Sequence, residues 1–385
     1  MRKIAVLGST GTIGRNTLDI VRRHRRLFKV TALAAGSNRD LLLSQIVEFR
    51  PLLVSVGTDA DAAALRRELG RRGPDILSGA EGASAAAAET SADLVVSAIA
   101  GFNGLRPTLA AVRAGKTVAL ANKESLVAAG GLLRREAKNS GAVFIPVDSE
   151  HSGIFQCLAG IDRGDIRSVV LTASGGPFLR IPLRELRRKT PEEALAHPRW
   201  TMGRKVTIDS ATMMNKGLEL IEARWLFDLA PDMIRVLIHP QSIVHALVEL
   251  RDGSVLAQLS RTDMRIPIQY ALTYPRRRDG FLPPLDLAAS GPLEFSSPDE
   301  RRFPLLKTAR RVMGEKDSAA VAMNAANEIA VEAFLGARLR FNSIAETVEE
   351  ALAGLRPRRL DSLDDIIEED RRIRERTRRR IEKRT

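Results

Sequence analysis

The sequence predicts an α/β protein with an N-terminal Rossmann-like doubly wound parallel sheet, a central α+β segment and a C-terminal helical bundle. Three observations carry this reading. Strand and helix signals alternate through residues 1–147, strand signals cluster between 167 and 260, and only helical periodicity follows residue 304. A chain of 385 residues is long enough for two or three domains, and 44% hydrophobic residues suffice for a large core.

The first strand reads KIAVLG (3–8) and runs into a turn with Gly8, Gly11 and Gly14 before the first helix. Glycines so spaced allow the tight turn, the approach of backbone to a pyrophosphate, and close packing of helix on strand. Further strands are expected at KVTALAAG (29–36), LLVSVG (52–57), DLVVSAIA (93–100), TVALA (117–121) and AVFIPV (142–147). The second ends in Gly36, Ser37, Asn38 and Arg39, where an NAD site carries an acid for the ribose hydroxyl. Donors and a cation fit a 2′-phosphate instead, so NADPH is expected. LANKESLV (120–127) follows the fifth of these strands and sets Asn122, Lys123 and Glu124 at the ligand-binding edge of the sheet.

AVFIPVDSEHSG continues without a glycine or proline turn before its acids. Read as extended chain, it points Asp148 and Glu150 the same way, about 7 Å apart. Two such carboxylates repel unless a cation lies between them. Strands are then expected at RSVVLTASGG (167–176), MIRVLIHP (233–240), SIVHALVEL (242–250) and SVLAQLS (254–260), with Asp252-Gly253 as a hairpin turn between the last two. A long helix, roughly 209–228, carries Asn215, Glu219 and Glu222 on one face with Lys216 beside them, and is otherwise apolar. Buried carboxylates must be paired or bind metal, which makes Glu219 a third acid beside Asp148 and Glu150. Oxygen donors without a cysteine or histidine cluster favour Mg²⁺ or Mn²⁺ over zinc. The alternative is that Glu219 pairs with Arg224 or Lys216 while Asp148 and Glu150 begin a helix.

Residues 276–303 read as a linker, and helices follow near 304–314, 318–336, 343–354 and 361–383, with Ser318 and Ser343 as N-caps. The expected organisation is a cofactor domain (1–147), a catalytic, metal-binding and connective domain (148–275), the linker, and a helical domain (304–385). The net charge is +13, of which the tail RRIRERTRRRIEKRT supplies +7. It lacks interleaved aromatics and reads as a solvated helix end rather than a nucleic-acid arm. No apolar run approaches the roughly 20 residues of a membrane span. The chain enters a strand at once, leaving no room for a leader, and its one cysteine, Cys157, fits a reducing compartment; the cytosol is expected. Cys157 reads as an inert thiol, His239 and His245 as structural, and His24 as solvated.

The stretches GSTGTIG, LANKESLV, PVDSEHSGIFQ, TASGGPF, HPRWTMGRKVTIDSATMMNKGLELIEARWLF and IHPQSIVH follow in order through about residues 4–275. Together they resemble the 1-deoxy-D-xylulose-5-phosphate reductoisomerase family, whose members use NADPH to rearrange and reduce a keto-sugar phosphate at the head of the methylerythritol phosphate route. The resemblance implies a divalent metal on Asp148, Glu150 and Glu219, with Lys123 as a further catalytic group. It implies substrate contacts from Lys123, Ser149, Glu150, Ser174, His197, Ser210, Asn215, Lys216 and Glu219. NADPH contacts would come from Thr10, Gly11, Thr12, Ile13, Gly36, Ser37, Asn38, Asn122, Glu124 and Gly203. Where family members often carry lysine this chain has Ser37, with Arg39 as the compensating cation. The resemblance also raises His245 to a place behind the site. Two glycines after Ser174 form an anion nest, HPRWTMGRKVT (197–207) reads as a lid, and a homodimer is implied. Two rivals remain: a semialdehyde dehydrogenase, which needs a cysteine nucleophile, and a non-catalytic NADPH sensor.

Overall fold

The computed structural model describes residues 1–384 except 71, 72, 89, 90, 201 and 281. Its contacts divide the chain into two compact units, each built from separate stretches of sequence.

Unit 1 comprises Met1–Ser125, Leu133–Ser152 and Asp263–Leu282. Its strands are β1 (Arg2–Leu7), β2 (Phe28–Ala34), β3 (Leu53–Val56), β4 (Asp75–Ser78), β5 (Leu94–Ser97), β6 (Thr117–Leu120) and β7 (Val143–Pro146). They form one parallel sheet in the order β4-β3-β2-β1-β5-β6-β7. Helices cover both faces, so the central strands are apolar throughout: Ile4–Leu7 and Leu94–Val96 are fully buried. The order reverses between β1 and β5, where doubly wound sheets open a crevice for a dinucleotide. Strand β4 was not expected from sequence. It is an edge strand with Ile76 alone deeply buried, too polar and short to signal itself. The helix Arg265–Thr273, expected with the central segment, belongs to unit 1. Arg265 reaches Asp19 (3.4 Å) and Arg2 donates to the carbonyl of Leu272 (3.0 Å).

Unit 2 comprises Leu126–Leu132, Gly153–Thr262 and Pro283–Thr385. Its sheet runs β11-β10-β8-β9, from β8 (Ile166–Ala173), β9 (Ile234–Ile238), β10 (Val244–Leu250) and β11 (Val255–Leu259). The expected Asp252-Gly253 turn joins β10 and β11, with Gly253 at φ +90°. The four C-terminal helices, Pro304–Met313, Asp317–Leu335, Ser343–Leu352 and Leu363–Glu382, are not a separate body. Leu171 and Val248 of the sheet, Leu218 and Ile221 behind it, and Phe334, Ile344 and Ile373 of these helices share one continuous core. Beyond Leu282 the linker segment is tied to this unit: Ile238 bridges Ser296, and Phe295 stacks on His239.

Three local expectations are corrected. The helix read as 209–228 is two, Arg204–Ala211 and Met214–Phe227, broken by Met213 at φ +61°. Lys316 and Asn342, not Ser318 and Ser343, occupy the N-cap positions. Ser318 instead accepts the N–H of Arg358. The arginine-rich end is only partly solvated: Arg374 pairs with Asp370 and Glu328, and Arg376 and Arg380 donate to the carbonyls of Ala351 and Glu350.

Candidate active site

In unit 1 the expected cofactor residues gather at the carboxyl ends of the parallel strands. Thr10, Gly11, Thr12 and Ile13 follow β1, Gly36, Ser37 and Asn38 follow β2, and Asn122 and Glu124 follow β6. The glycine turn is built for close approach. Gly8 sits at φ +80°, and a Cβ on Gly14 would collide with the carbonyl of Gly8 and with Ser9. Gly11 occupies the N-cap of the helix Thr12–Arg23 without a side chain to cap it, leaving first-turn N–H groups for an anion. A pyrophosphate fits this cradle.

After β2, Asn38 Oδ1 accepts the N–H of Leu41 (3.2 Å), which leaves its amide NH₂ as donor. The exposed Arg39 lies 3.4 Å from Asp40. Gly203, the remaining expected cofactor residue, is in unit 2, at the N-cap of Arg204–Ala211.

The side chain of Asn122 helps hold the strand ends. It donates to the carbonyls of Ile99 (2.7 Å) and Gly101 (2.9 Å) and to Glu124 (3.0 Å), while its Oδ1 accepts the N–H of Ser125. The next residue, Lys123, directs Nζ to Asp148 Oδ2 at 2.8 Å, with both side chains nearly buried. The extended reading of Asp148 and Glu150 is wrong. β7 stops at Pro146 and the helix Ser149–Cys157 follows directly, so Asp148 begins a helix and accepts the N–H groups of Glu150 (3.2 Å) and Ser152 (2.8 Å). Ser149 Oγ donates to Glu150 at 2.5 Å.

The helical turn also brings in His151, to which sequence reasoning gave no role. It is fully buried, with Nδ1 3.1 Å from Asp148 Oδ1. An Asp-x-x-His spacing signals this only when the stretch is read as helix.

In unit 2 the polar stripe is buried as expected. Glu219 and Glu222 are wholly inaccessible and Lys216 nearly so. Glu219 is held by Lys216 and by Asn215 Nδ2 (2.5 Å), whereas Arg224 turns away to the carbonyl of Met313. The two glycines after Ser174 adopt positive φ (+83° and +69°), and the Gly176 backbone lies against the Ser210 carbonyl. Ser174 Oγ is 3.1 Å from His197 Nε2 and accepts the N–H of Gly176 (3.2 Å). Burial pushes the His197 imidazole down to about 4. Of the expected lid, Thr201 lies outside the described residues, and 204–207 is already helical. Asp209, missed by the sequence reading, is buried between Lys205 (2.9 Å) and Asn327 (2.8 Å).

The other titratable side chains are mostly structural. His239 is buried, with its ring between the Glu294 carbonyl (2.9 Å) and the N–H groups of Ile243 and Val244. His245 faces Trp200 edge-on. His24, expected in solvent, is half-buried beside Gln269 (3.4 Å). Partial burial raises the thiol of Cys157, which argues against the cysteine nucleophile of a semialdehyde dehydrogenase.

A doubly wound sheet with an open glycine cradle, in a chain whose second unit is rich in buried acids, places the chain among the dinucleotide-fold oxidoreductases. Models of 1-deoxy-D-xylulose 5-phosphate reductoisomerase match residues 4–130, and those of its C-terminal domains match 144–227 and 259–376. The reductoisomerases of Geotalea uraniireducens and Chlorobium phaeovibrioides are 52% and 51% identical to it, each over 96% of this chain and 96–97% of their own length. A crystal structure of DOX-P reductoisomerase with NADPH, fosmidomycin and magnesium superposes with a TM-score of 0.95 at 42% identity, covering 99% of this chain and 98% of that one. The Zymomonas mobilis enzyme with NADPH gives 0.92 at 41% identity, covering 99% of both. The chain belongs to the 1-deoxy-D-xylulose 5-phosphate reductoisomerase family.

Proposed function

We propose that this chain converts 1-deoxy-D-xylulose 5-phosphate to 2-C-methyl-D-erythritol 4-phosphate, by retroaldol–aldol rearrangement followed by reduction, with NADPH and a divalent cation. The observation that carries the reading is the match over nearly the whole chain to a relative crystallised with NADPH and magnesium. The residues present fit both groups. The glycine cradle accepts a pyrophosphate, and the acids Asp148, Glu150 and Glu219 offer oxygen alone, the donor set of Mg²⁺ or Mn²⁺. Thr10, Gly11, Thr12, Ile13, Gly36, Ser37, Asn38, Asn122, Glu124 and Gly203 are the proposed NADPH contacts.

When bound, the cation supplies Lewis-acid polarisation of the ketone and its neighbouring hydroxyl, and the nicotinamide supplies hydride. The protein's own part is binding, charge and proton handling. Lys123, held at 2.8 Å by Asp148, presents a fixed ammonium where oxyanion charge develops. Glu150, oriented by the Ser149 hydroxyl, takes and returns the hydroxyl proton. Ser174, Ser210, Asn215 and Lys216 receive the phosphate, with His197 serving the same subsite from beside Ser174, and the phosphate's binding energy orients the distant reacting carbons. The stretch ahead of the helix Arg204–Ala211, beginning at His197, serves as a lid that excludes water from the substrate.

In this reading 1–147 serves as the NADPH domain, 148–275 as the catalytic and connective domain, and 304–385 as its helical support. The protein works as a cytoplasmic homodimer on a small sugar phosphate. No helix among the described residues is long and apolar enough to cross a membrane. The deciding assay follows NADPH absorbance with deoxyxylulose phosphate, with and without chelator. Turnover that stops with chelator and returns with Mn²⁺ is expected. NADPH binding with no turnover would instead favour a sensor.

A further inference from the structure

The ring of His197 makes three polar contacts that together fix its chemistry. Nδ1 receives the backbone N–H groups of Arg199 (3.1 Å) and Trp200 (2.9 Å). Pro198 has no N–H of its own, so the next two amides of the turn are the ones that reach the ring. A ring nitrogen accepting two N–H bonds must present its lone pair. The proton of the neutral imidazole is therefore on Nε2. Burial, which holds this ring far below its ordinary pKa, keeps it neutral at working pH.

Nε2–H then points at Ser174 Oγ, 3.1 Å away, and must donate to it. The same oxygen already accepts the N–H of Gly176 at 3.2 Å. A serine hydroxyl has two acceptor lone pairs and one proton. With both lone pairs occupied, Ser174 has only its O–H left to offer. A phosphate dianion presents acceptors alone, so a hydroxyl locked as a donor meets it without lone-pair repulsion and without a rotor to freeze on binding.

We propose that His197 is a positioning residue that acts through Ser174, its neutral Nε2–H tautomer holding the serine hydroxyl as a dedicated donor to the substrate's phosphate. The inference rests on the phosphate reading given above. It also links two elements: the ring that orients Ser174 is the ring on which the 197–200 turn closes, so seating the turn and arming the serine are one event.

The test is a double-mutant cycle on the full-length enzyme with Mn²⁺, reading KM for deoxyxylulose phosphate, kcat, and inhibition by inorganic phosphate. In His197→Asn the amide oxygen replaces Nδ1 and keeps the turn, while the donor to Ser174 is lost. KM and the phosphate inhibition constant should rise about ten- to a hundredfold, as expected for a hydrogen bond to a charged group, with a smaller fall in kcat. Ser174→Ala should do the same, and the double variant should be no worse than Ser174→Ala alone. Additive losses would overturn the inference, because His197 would then touch the phosphate itself. An unchanged KM in Ser174→Ala would remove the phosphate from this loop and overturn the placement as well as the inference. Should the variants fold poorly, ¹⁵N-histidine NMR of the unmodified enzyme decides independently. One ring with Nδ1 bare and Nε2 protonated is expected, and assignment of the opposite tautomer to His197 would sink the proposal.

Discussion

His197 is neutral because burial makes its imidazolium costly, and the drop from the ordinary 6.5 to about 4 has a consequence for stability. The unfolded chain takes up a proton near pH 6.5 that the folded chain refuses until about pH 4. The native state is therefore fully favoured above pH 6.5 and loses this contribution as the pH falls from 6.5 towards 4. His239, depressed mainly by burial, adds to the trend in the same direction. The gap in urea midpoint between the unmodified protein and His197→Asn should shrink across that window. A gap independent of pH would show that the ring titrates normally. Arg39 is the residue-scale test of cofactor choice. It lies in the first turn after β2 beside Asp40, with Ser37 and the free NH₂ of Asn38 as companion donors. Arg39→Glu exchanges attraction for repulsion towards a 2′-phosphate. KM for NADPH should rise at least about tenfold, with NADH little affected. An unchanged NADPH/NADH preference would place the phosphate elsewhere.

The helix Lys123–Ser140 shows how an element carries two jobs. It starts in unit 1 with Asn122 as N-cap and Lys123 aimed at Asp148, then passes through unit 2 over Leu126–Leu132. It departs from helical geometry at Ala129 (φ −138°), next to Gly130, against which the indole of Trp225 is pressed. A methyl on Gly130 has no space, whereas one on Gly131 meets the ring at an ordinary 3.5 Å. Gly130→Ala should destabilise by about 1–3 kcal/mol in denaturant titrations. Gly131→Ala should be neutral or stabilising by up to about 1 kcal/mol through helix propensity. Equal effects would mean that the indole moves aside freely. At this scale the sequence was legible where burial imposes a period. Buried parallel strands such as β1 and β5 appear as unbroken apolar runs, and the glycine turn announces its own geometry. Illegible elements lacked a local cause. β4 has one deeply buried residue, Met213 breaks a helix with no glycine or proline at the break, and the Ser318 hydroxyl accepts the N–H of Arg358, forty residues away. The acids after β7 were found but misposed, because a strand passes directly into a helix with no turn residue to mark the change. The tautomer of His197 depends on backbone amides that no residue pattern displays.

Over the whole molecule the charge is uneven, with +7 of the +13 in the last fifteen residues. That concentration invites an electrostatic function, yet the side chains spend it on neighbours. Arg374, 18% exposed, joins Asp370 and Glu328, which are 7% and 15% exposed. Arg372 pairs with the buried Glu369, and Arg384 reaches Glu350. The last helix is thereby fastened to Asp317–Leu335 and Ser343–Leu352, whose apolar faces share a core with Leu218 and Ile221 of the Glu219 helix. Cations in such a fastener are not interchangeable. Removing Arg374 strands two carboxylates in a half-dry setting, so Arg374→Ala should cost about 3–5 kcal/mol. Arg371 pairs with Glu368 and Glu375 but is 59% exposed, and Arg371→Ala should cost under about 1 kcal/mol. Because the core is continuous, Arg374→Ala should also lower the temperature at which activity is lost, though the residue belongs to none of the proposed substrate, cofactor or metal contacts. Guanidinium unfolding of the two variants side by side is the measurement. If both lose the same small amount, the tail is a solvated face after all, and its charge needs another explanation.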